Sequence, residues 1–234
     1  MQPDFRDRHV VVTGGTGALG TAVVGALLEA GATCHVSYVD ESEVQRFAHR
    51  AHGNARLRPC DLTDEKSVAA FFDALPTLWA SIHLAGGFAM SPAAATTKLD
   101  LMKQVDMNFV TCFLCCSAAL RVMRRTKSGG RIVNVAARSA LEWRSGAGMA
   151  AYTASKAAVA ALTVALSEEV VKDDILVNAV APSILDTAAN REAMPKANHA
   201  VWPKVEEVAQ TILFLASPAN RVTRGAVVPV YGKA

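Results

Sequence analysis

A chain of 234 residues can bury roughly 70–75% of the surface that its unfolded form exposes. With 51% hydrophobic and 19% charged residues it is not a disordered, collagen-like or coiled-coil protein. The 24 Lys and Arg against 21 Asp and Glu leave a net charge of +3, too little for a surface that neutralises a run of phosphates, so nucleic acid is not an expected partner.

In chain order, short runs rich in Val and Ile alternate with longer stretches of helical period. Residues 9–13 (HVVVT) predict a strand, 17–30 a helix, 33–39 a strand, 41–51 a helix and 55–60 a third strand. Residues 64–75 predict a helix opened by acidic residues, 80–84 a strand, 91–95 a loop, 97–127 one or two helices and 131–135 a fifth strand. A long helix is expected over 150–171, a strand over 175–180, an irregular segment from Pro182 to Pro203, a helix over 205–216 and a last strand over 226–230. Parallel strands joined through helices need right-handed crossovers. The pattern therefore predicts an α/β fold, one doubly wound domain over 1–234 with a mostly parallel seven-stranded sheet and helices on both faces. Pro229 lacks the amide that a central ladder needs, which assigns the last strand to the sheet edge.

The apolar stretches are broken by Glu, Arg or Gly short of the roughly 18–20 residues of a membrane helix, and Met1–Arg8 has no signal core. The expected location is cytoplasmic, with no membrane partner. The five cysteines are an odd number and predict no disulfide framework. Cys112, Cys115 and Cys116 share one helix face, but no His or fourth Cys stands at finger-like spacing, so they read as small buried residues and no metal site is expected.

Two constellations carry chemistry. The first strand runs directly into Thr13-Gly14-Gly15-Thr16-Gly17-Ala18-Leu19-Gly20 and then a helix. A pyrophosphate must meet backbone N–H groups at a helix N-terminus without striking a Cβ, so Gly14 and Gly17 suit the turn and Gly20 suits close packing of the helix on the sheet. Asp40, at the end of the second strand, serves either as acceptor for the adenosine ribose hydroxyls, which favours NAD, or as N-cap of the next helix with Glu43 completing a capping box. Asp61 follows the third strand, where an adenine ring would lie. The second constellation is Tyr152-Thr153-Ala154-Ser155-Lys156, a phenol and an ammonium four apart on one helix face. A nearby cation favours the phenolate and makes Tyr152 a usable acid/base. Ser139 lies just past the fifth strand, where its hydroxyl can hold a substrate oxygen, and Asn108 is a polar residue in an otherwise apolar helix.

Over essentially its whole length the chain resembles the short-chain dehydrogenase/reductase family, through the glycine loop, Asp61, Leu84-Ala85-Gly86-Gly87, Asn108, Ser139, Tyr152 with Lys156, and Val177-Asn178-Ala179-Val180-Ala181-Pro182 with Thr187. The resemblance implies a Rossmann-type domain and hydride transfer between NAD or NADP and a carbonyl or alcohol. In that reading Tyr152 is the acid/base, Lys156 lowers its pKa and binds the nicotinamide ribose, Ser139 positions the substrate oxygen and Asn108 holds a water of a proton relay. Cofactor contacts are implied for Gly14, Thr16, Gly17, Ala18, Leu19, Asp40, Asp61, Leu62, Ala85, Gly86, Gly87, Pro182, Ile184 and Thr187, besides Tyr152 and Lys156. A homo-oligomer, dimer or tetramer, is implied through the helices over 108–124 and 152–171, with Cys112, Phe113 and Cys116 in or near an interface. The chain departs from the family at Ala18, which stands where the short-chain branch has a motif glycine, at Leu84 in place of Asn, and at Ser183 in place of Gly. The alternative reading is a nucleotide-sensing or scaffold protein that keeps the fold without turnover. Met90, Trp143, Met194 and Trp202 suggest an apolar substrate pocket, while Arg138, Arg144 and His199 either meet an acidic group or are solvated.

Overall fold

The computed structural model describes residues 4–234; Met1–Pro3, part of the stretch read for a signal core, lie outside the described residues. The elements run β1 (His9–Thr13), α1 (Ala18–Glu29), β2 (Thr33–Tyr38), α2 (Glu41–Arg46), β3 (Ala55–Pro59), α3 (Glu65–Asp73), β4 (Ala80–His83), α4 (Lys98–Val105) and α5 (Thr111–Thr126). They continue with β5 (Gly130–Val135), α6 (Arg138–Leu141), α7 (Ala150–Glu169), β6 (Ile175–Pro182), α8 (Ala188–Ala193), α9 (Val205–Ala216) and β7 (Val227–Val230).

The seven strands form one sheet in the order β3-β2-β1-β4-β5-β6-β7, and every pairing is parallel. β7 is the edge, as Pro229 requires. The interior of β1 shows why Val-rich runs serve here: Val10 and Val12 face one core layer with Val24, Leu27 and Ile212 of α1 and α9, while Val11 faces the other with Phe72, Met123 and Val159 of α3, α5 and α7. Strand order reverses between β1 and β4, which opens a crevice at their carboxyl ends.

Three segments differ from their sequence expectation. The helix expected over 41–51 stops at Arg46, where Phe47 turns extended and buries its ring. The segment 97–127 is α4 and α5 joined by a π-turn over Asp106–Val110, whose extra residue is invisible to a 3.6-residue pattern. The stretch 182–203 contains α8, capped by the Thr187 side chain accepting from the Asn190 amide, and a 3-10 turn at His199–Val201. Lys98–Thr126 and Ala150–Glu169 also reach mean hydropathies of 1.4 and 1.2, enough by length and composition to cross a membrane, against the expectation that charges interrupt them. Their apolar faces lie on the sheet, through Cys115, Ala119, Met123 and Val159.

Candidate active site

The glycine turn is shaped by close approach. Gly14 has φ +64°, and a Cβ there would stand 2.7 Å from the Ala85 amide nitrogen, so the turn lies directly against the residues that follow β4. A Cβ on Gly20 would run into the Gly14 carbonyl, which is how α1 sits close to the turn. Gly17 is different: a Cβ would meet only the Gly14 carbonyl, at 3.4 Å. Gly17 is also the N-cap of α1 and offers no side-chain cap to its first amides. Over it opens a cavity of about 520 Å³ lined by Gly14, Thr16, Gly17, Leu62, Ala85 and Gly86. Uncapped helix amides beside open space fit a diphosphate.

The far end of this cavity carries residues that sequence reasoning did not place there. Glu43 and Arg46 line it, and the Thr16 hydroxyl donates to Glu43 Oε2 at 2.6 Å. Of the two readings of Asp40, the structure forms the N-cap: its carboxylate accepts from the Ser42 amide at 2.8 Å and is held below the usual carboxylate value chiefly by that bond. The capping box with Glu43 does not form, because Glu43 turns to Thr16 instead. Asp61 is likewise engaged locally, accepting from the amide and hydroxyl of Thr63. Neither Asp40 nor Asp61 lines the cavity. Ala18 and Leu19 form the first turn of α1, with Leu19 packed on the core. Leu84 packs on the same core and its amide bonds the Thr13 carbonyl at 3.1 Å, so the backbone after β4 is held there without an Asn side chain.

The proton-transfer candidates gather at the adjoining strand ends. Ser139 begins just past β5, in α6, and its Oγ is buried with no hydrogen-bond partner among the described residues. A buried hydroxyl without a partner carries a free-energy penalty of about 1–3 kcal/mol unless a ligand supplies one. Tyr152 and Lys156 stand one turn apart at the start of α7, and the Tyr152 ring meets Phe88 edge-on at 5.0 Å. Burial pushes the Tyr152 phenol up to about 12 and draws the Lys156 ammonium down to about 8. Lys156 Nζ donates to the Val135 carbonyl at 2.9 Å. In the chain alone, desolvation is the largest influence on both groups.

Asn108 sits in the π-turn and is buried. It accepts from the Gly87 amide and donates to the Gly87 carbonyl, both at 3.1 Å, and donates to Ser155 Oγ at 3.2 Å. Its amide thus clamps the turn after β4, a direct structural task beyond the water-holding role implied by resemblance. A Cβ on Gly86 would lie 2.6 Å from Asn108 Oδ1 and 3.4 Å from Lys156 Nζ, so the three residues converge. Pro182 ends β6, Ile184 is exposed beyond it and the Thr187 hydroxyl is used as a helix cap. Trp202 is buried, with its ring tilted against His199 at 4.6 Å, so it belongs to the core instead of a pocket. Arg138 pairs with Glu142 at 2.7 Å, whereas Met90 and Trp143 are exposed. Neither a shallower groove of about 510 Å³ beside Trp143 and Thr153 nor the cavity over Gly17 is lined by Ser139, Tyr152 or Lys156, and the cavity over Gly17 is the better cofactor site because it holds the glycine turn.

A model of the short chain dehydrogenase family matches residues 8–198. The chain is 36% identical to galactitol 2-dehydrogenase of Rhizobium johnstonii, covering 98% of this chain and 96% of that protein. The chain belongs to the short-chain dehydrogenase/reductase family. It is 34% identical to cis-4-hydroxycyclohexanecarboxylate dehydrogenase of Sinomonas cyclohexanicum, over 99% and 98% of the two chains. A short-chain type dehydrogenase/reductase from Mycobacterium ulcerans superposes with a TM-score of 0.88 at 27% identity, over 98% and 90% of the chains. As a short-chain dehydrogenase/reductase, the protein is an oxidoreductase that acts on alcohol or carbonyl groups.

Proposed function

We propose that the whole chain works as one catalytic domain transferring hydride between NAD and a secondary alcohol or ketone, with Ser139, Tyr152 and Lys156 handling the proton and Asn108 positioning. The observation that carries this is the buried Ser139 hydroxyl left without a partner at the carboxyl end of β5. Its missing partner is the substrate oxygen. The glycine turn and the first amides of α1 hold the diphosphate, and a bound nicotinamide supplies or takes up the hydride. Tyr152 gives its proton to the oxygen that Ser139 holds during reduction and removes it during oxidation. Lys156, an ammonium below about pH 8, offsets the desolvation that raises Tyr152 once it turns from the Val135 carbonyl to the phenol. NAD is favoured over NADP because the Glu43 carboxylate, fixed by Thr16, would repel a 2′-phosphate, a repulsion that the Arg46 guanidinium on the same cavity offsets in part. The exposed side chains of Phe88, Met90 and Trp143 supply an apolar mouth, which suits the ring of a cyclic hydroxy acid, the substrate class for which one relative is named, better than a polyol.

The test is fluorescence titration with NADH and NADPH separately, followed by turnover on secondary alcohols and ketones. NADH is expected to bind more tightly, and Tyr152→Phe to keep that binding while losing about 10²–10⁴-fold in turnover. No binding of either dinucleotide, or full turnover by Tyr152→Phe, would overturn the reading.

A further inference from the structure

Behind the active site, among residues that the reaction does not use, lies a buried cluster of soft ligands. Cys112 and Cys116 stand one turn apart on α5, and their sulfurs and the imidazole of His83 from β4 all lie within 4.8 Å of one another. Cys116 Sγ is 3.5 Å from His83 Nδ1 and 3.5 Å from Asn134 Oδ1, and Asn134 Oδ1 is 2.8 Å from His83 Nδ1. Three ligand atoms from β4 and α5 therefore lie together, with the Asn134 oxygen of β5 against two of them. A tetrahedral zinc with bonds of about 2.3 Å to sulfur and about 2.0 Å to nitrogen or oxygen places its ligands roughly 3.3–3.8 Å apart, so the two contacts of Cys116 already fit and the shorter His83–Asn134 pair opens as the ion replaces its hydrogen bond.

We infer that His83, Cys112, Cys116 and Asn134 form a binding site for a thiophilic divalent cation of the zinc type. Charge supports the assignment. Two thiolates, a neutral imidazole and a divalent ion sum to zero, so the loaded site avoids the penalty of an uncompensated charge in the core. Both thiols would give up their protons on binding the ion. His83 is prepared for the role as well. Asn134 Nδ2 donates to Thr163 Oγ1 at 2.9 Å, which turns Oδ1 toward the imidazole, and His83 Nε2 lies 2.8 Å from Ser81 Oγ. Ser81 can accept as readily as donate, so the imidazole proton can move to Nε2 and leave the Nδ1 lone pair for the ion, with Ser81 steadying the ring.

Cadmium serves as the probe, because its thiolate charge-transfer band reports sulfur ligation directly. The full chain is refolded with Cd²⁺, desalted and assayed for metal and for the band. One ion per chain is expected. Uptake should fall at least about tenfold in Cys112→Ser, Cys116→Ser and His83→Gln, about 10–100-fold in affinity for Ser81→Ala, and should be unchanged in Cys34→Ser, whose sulfur lies in the opposite core layer. Circular dichroism shows which variants fold, and any one of the three ligand variants that does is decisive. No ion retained by the refolded wild type, or undiminished uptake by a folded ligand variant, would sink the assignment. Dinucleotide titration of the metal-free chain tests the proposed reaction separately.

Discussion

Ser139 and Lys156 are each held in a state that suits chemistry better than stability. Replacing Ser139 by Ala removes a buried hydroxyl that no protein group satisfies. Ser139→Ala is expected to leave the cofactor-free chain as stable or up to about 1 kcal/mol more stable, by denaturant unfolding, while turnover falls. For Lys156 the folded value of about 8 lies below the ordinary 10.5. Below pH 8 the folded chain carries the ammonium against its burial, and above 10.5 neither state does. Lys156→Met should therefore gain on wild type in unfolding free energy at pH 7, by up to roughly 3 kcal/mol, with the gain shrinking as pH rises from 8 towards 10.5. A pH-independent difference would mean that Lys156 is not desolvated. The same substitution should abolish turnover at every pH.

At the scale of the element, the turn from β1 to α1 separates glycines needed for the fold from one reserved for a ligand. Gly20 faces the Gly14 carbonyl at contact distance and cannot accept a Cβ without moving the helix, whereas Gly17 has φ −74° and open space. Gly20→Ala should lower the melting temperature markedly. Gly17→Ala should cost at most about 1 kcal/mol of stability yet weaken NADH binding, read by thermal unfolding and by titration of the same sample. The strand, the glycines and the helix were legible in the sequence because each depends on neighbours within a few residues. The π-turn was not, since one inserted residue leaves the apolar pattern of 97–127 nearly intact while swinging Asn108 inward to Gly87. The end of α2 at Arg46 was missed for a related reason: Phe47 is drawn into the core beneath α1, a tertiary demand that overrides helix propensity.

Across the whole molecule, the helices flanking the candidate site leave apolar side chains uncovered. Leu99 and Met102 of α4, Phe113 of α5 and Val164 of α7 are all exposed, and we propose that they meet a second copy of the chain in the dimer or tetramer expected from the resemblance. Cys112 and Cys116, expected in or near that interface, instead point into the core of their own chain because they occupy the sheet side of α5. Phe113→Asp should shift the protein to a smaller species by sedimentation with its melting temperature changed far less than by a core substitution. An unchanged sedimentation coefficient would remove Phe113 from the interface.

The sequence alone determined the order of strands and helices, the glycine turn and the Tyr152, Lys156 and Ser139 pattern, because short-range periodicity, Gly conformational freedom and helix spacing are local properties. Only the tertiary structure decided that Glu43 meets Thr16, that Asn108 clamps Gly87 and that His83 and Asn134 come to Cys112 and Cys116. Parallel pairing through crossovers brings together strands separated by whole helices, and no spacing in the chain encodes which of their side chains will then touch.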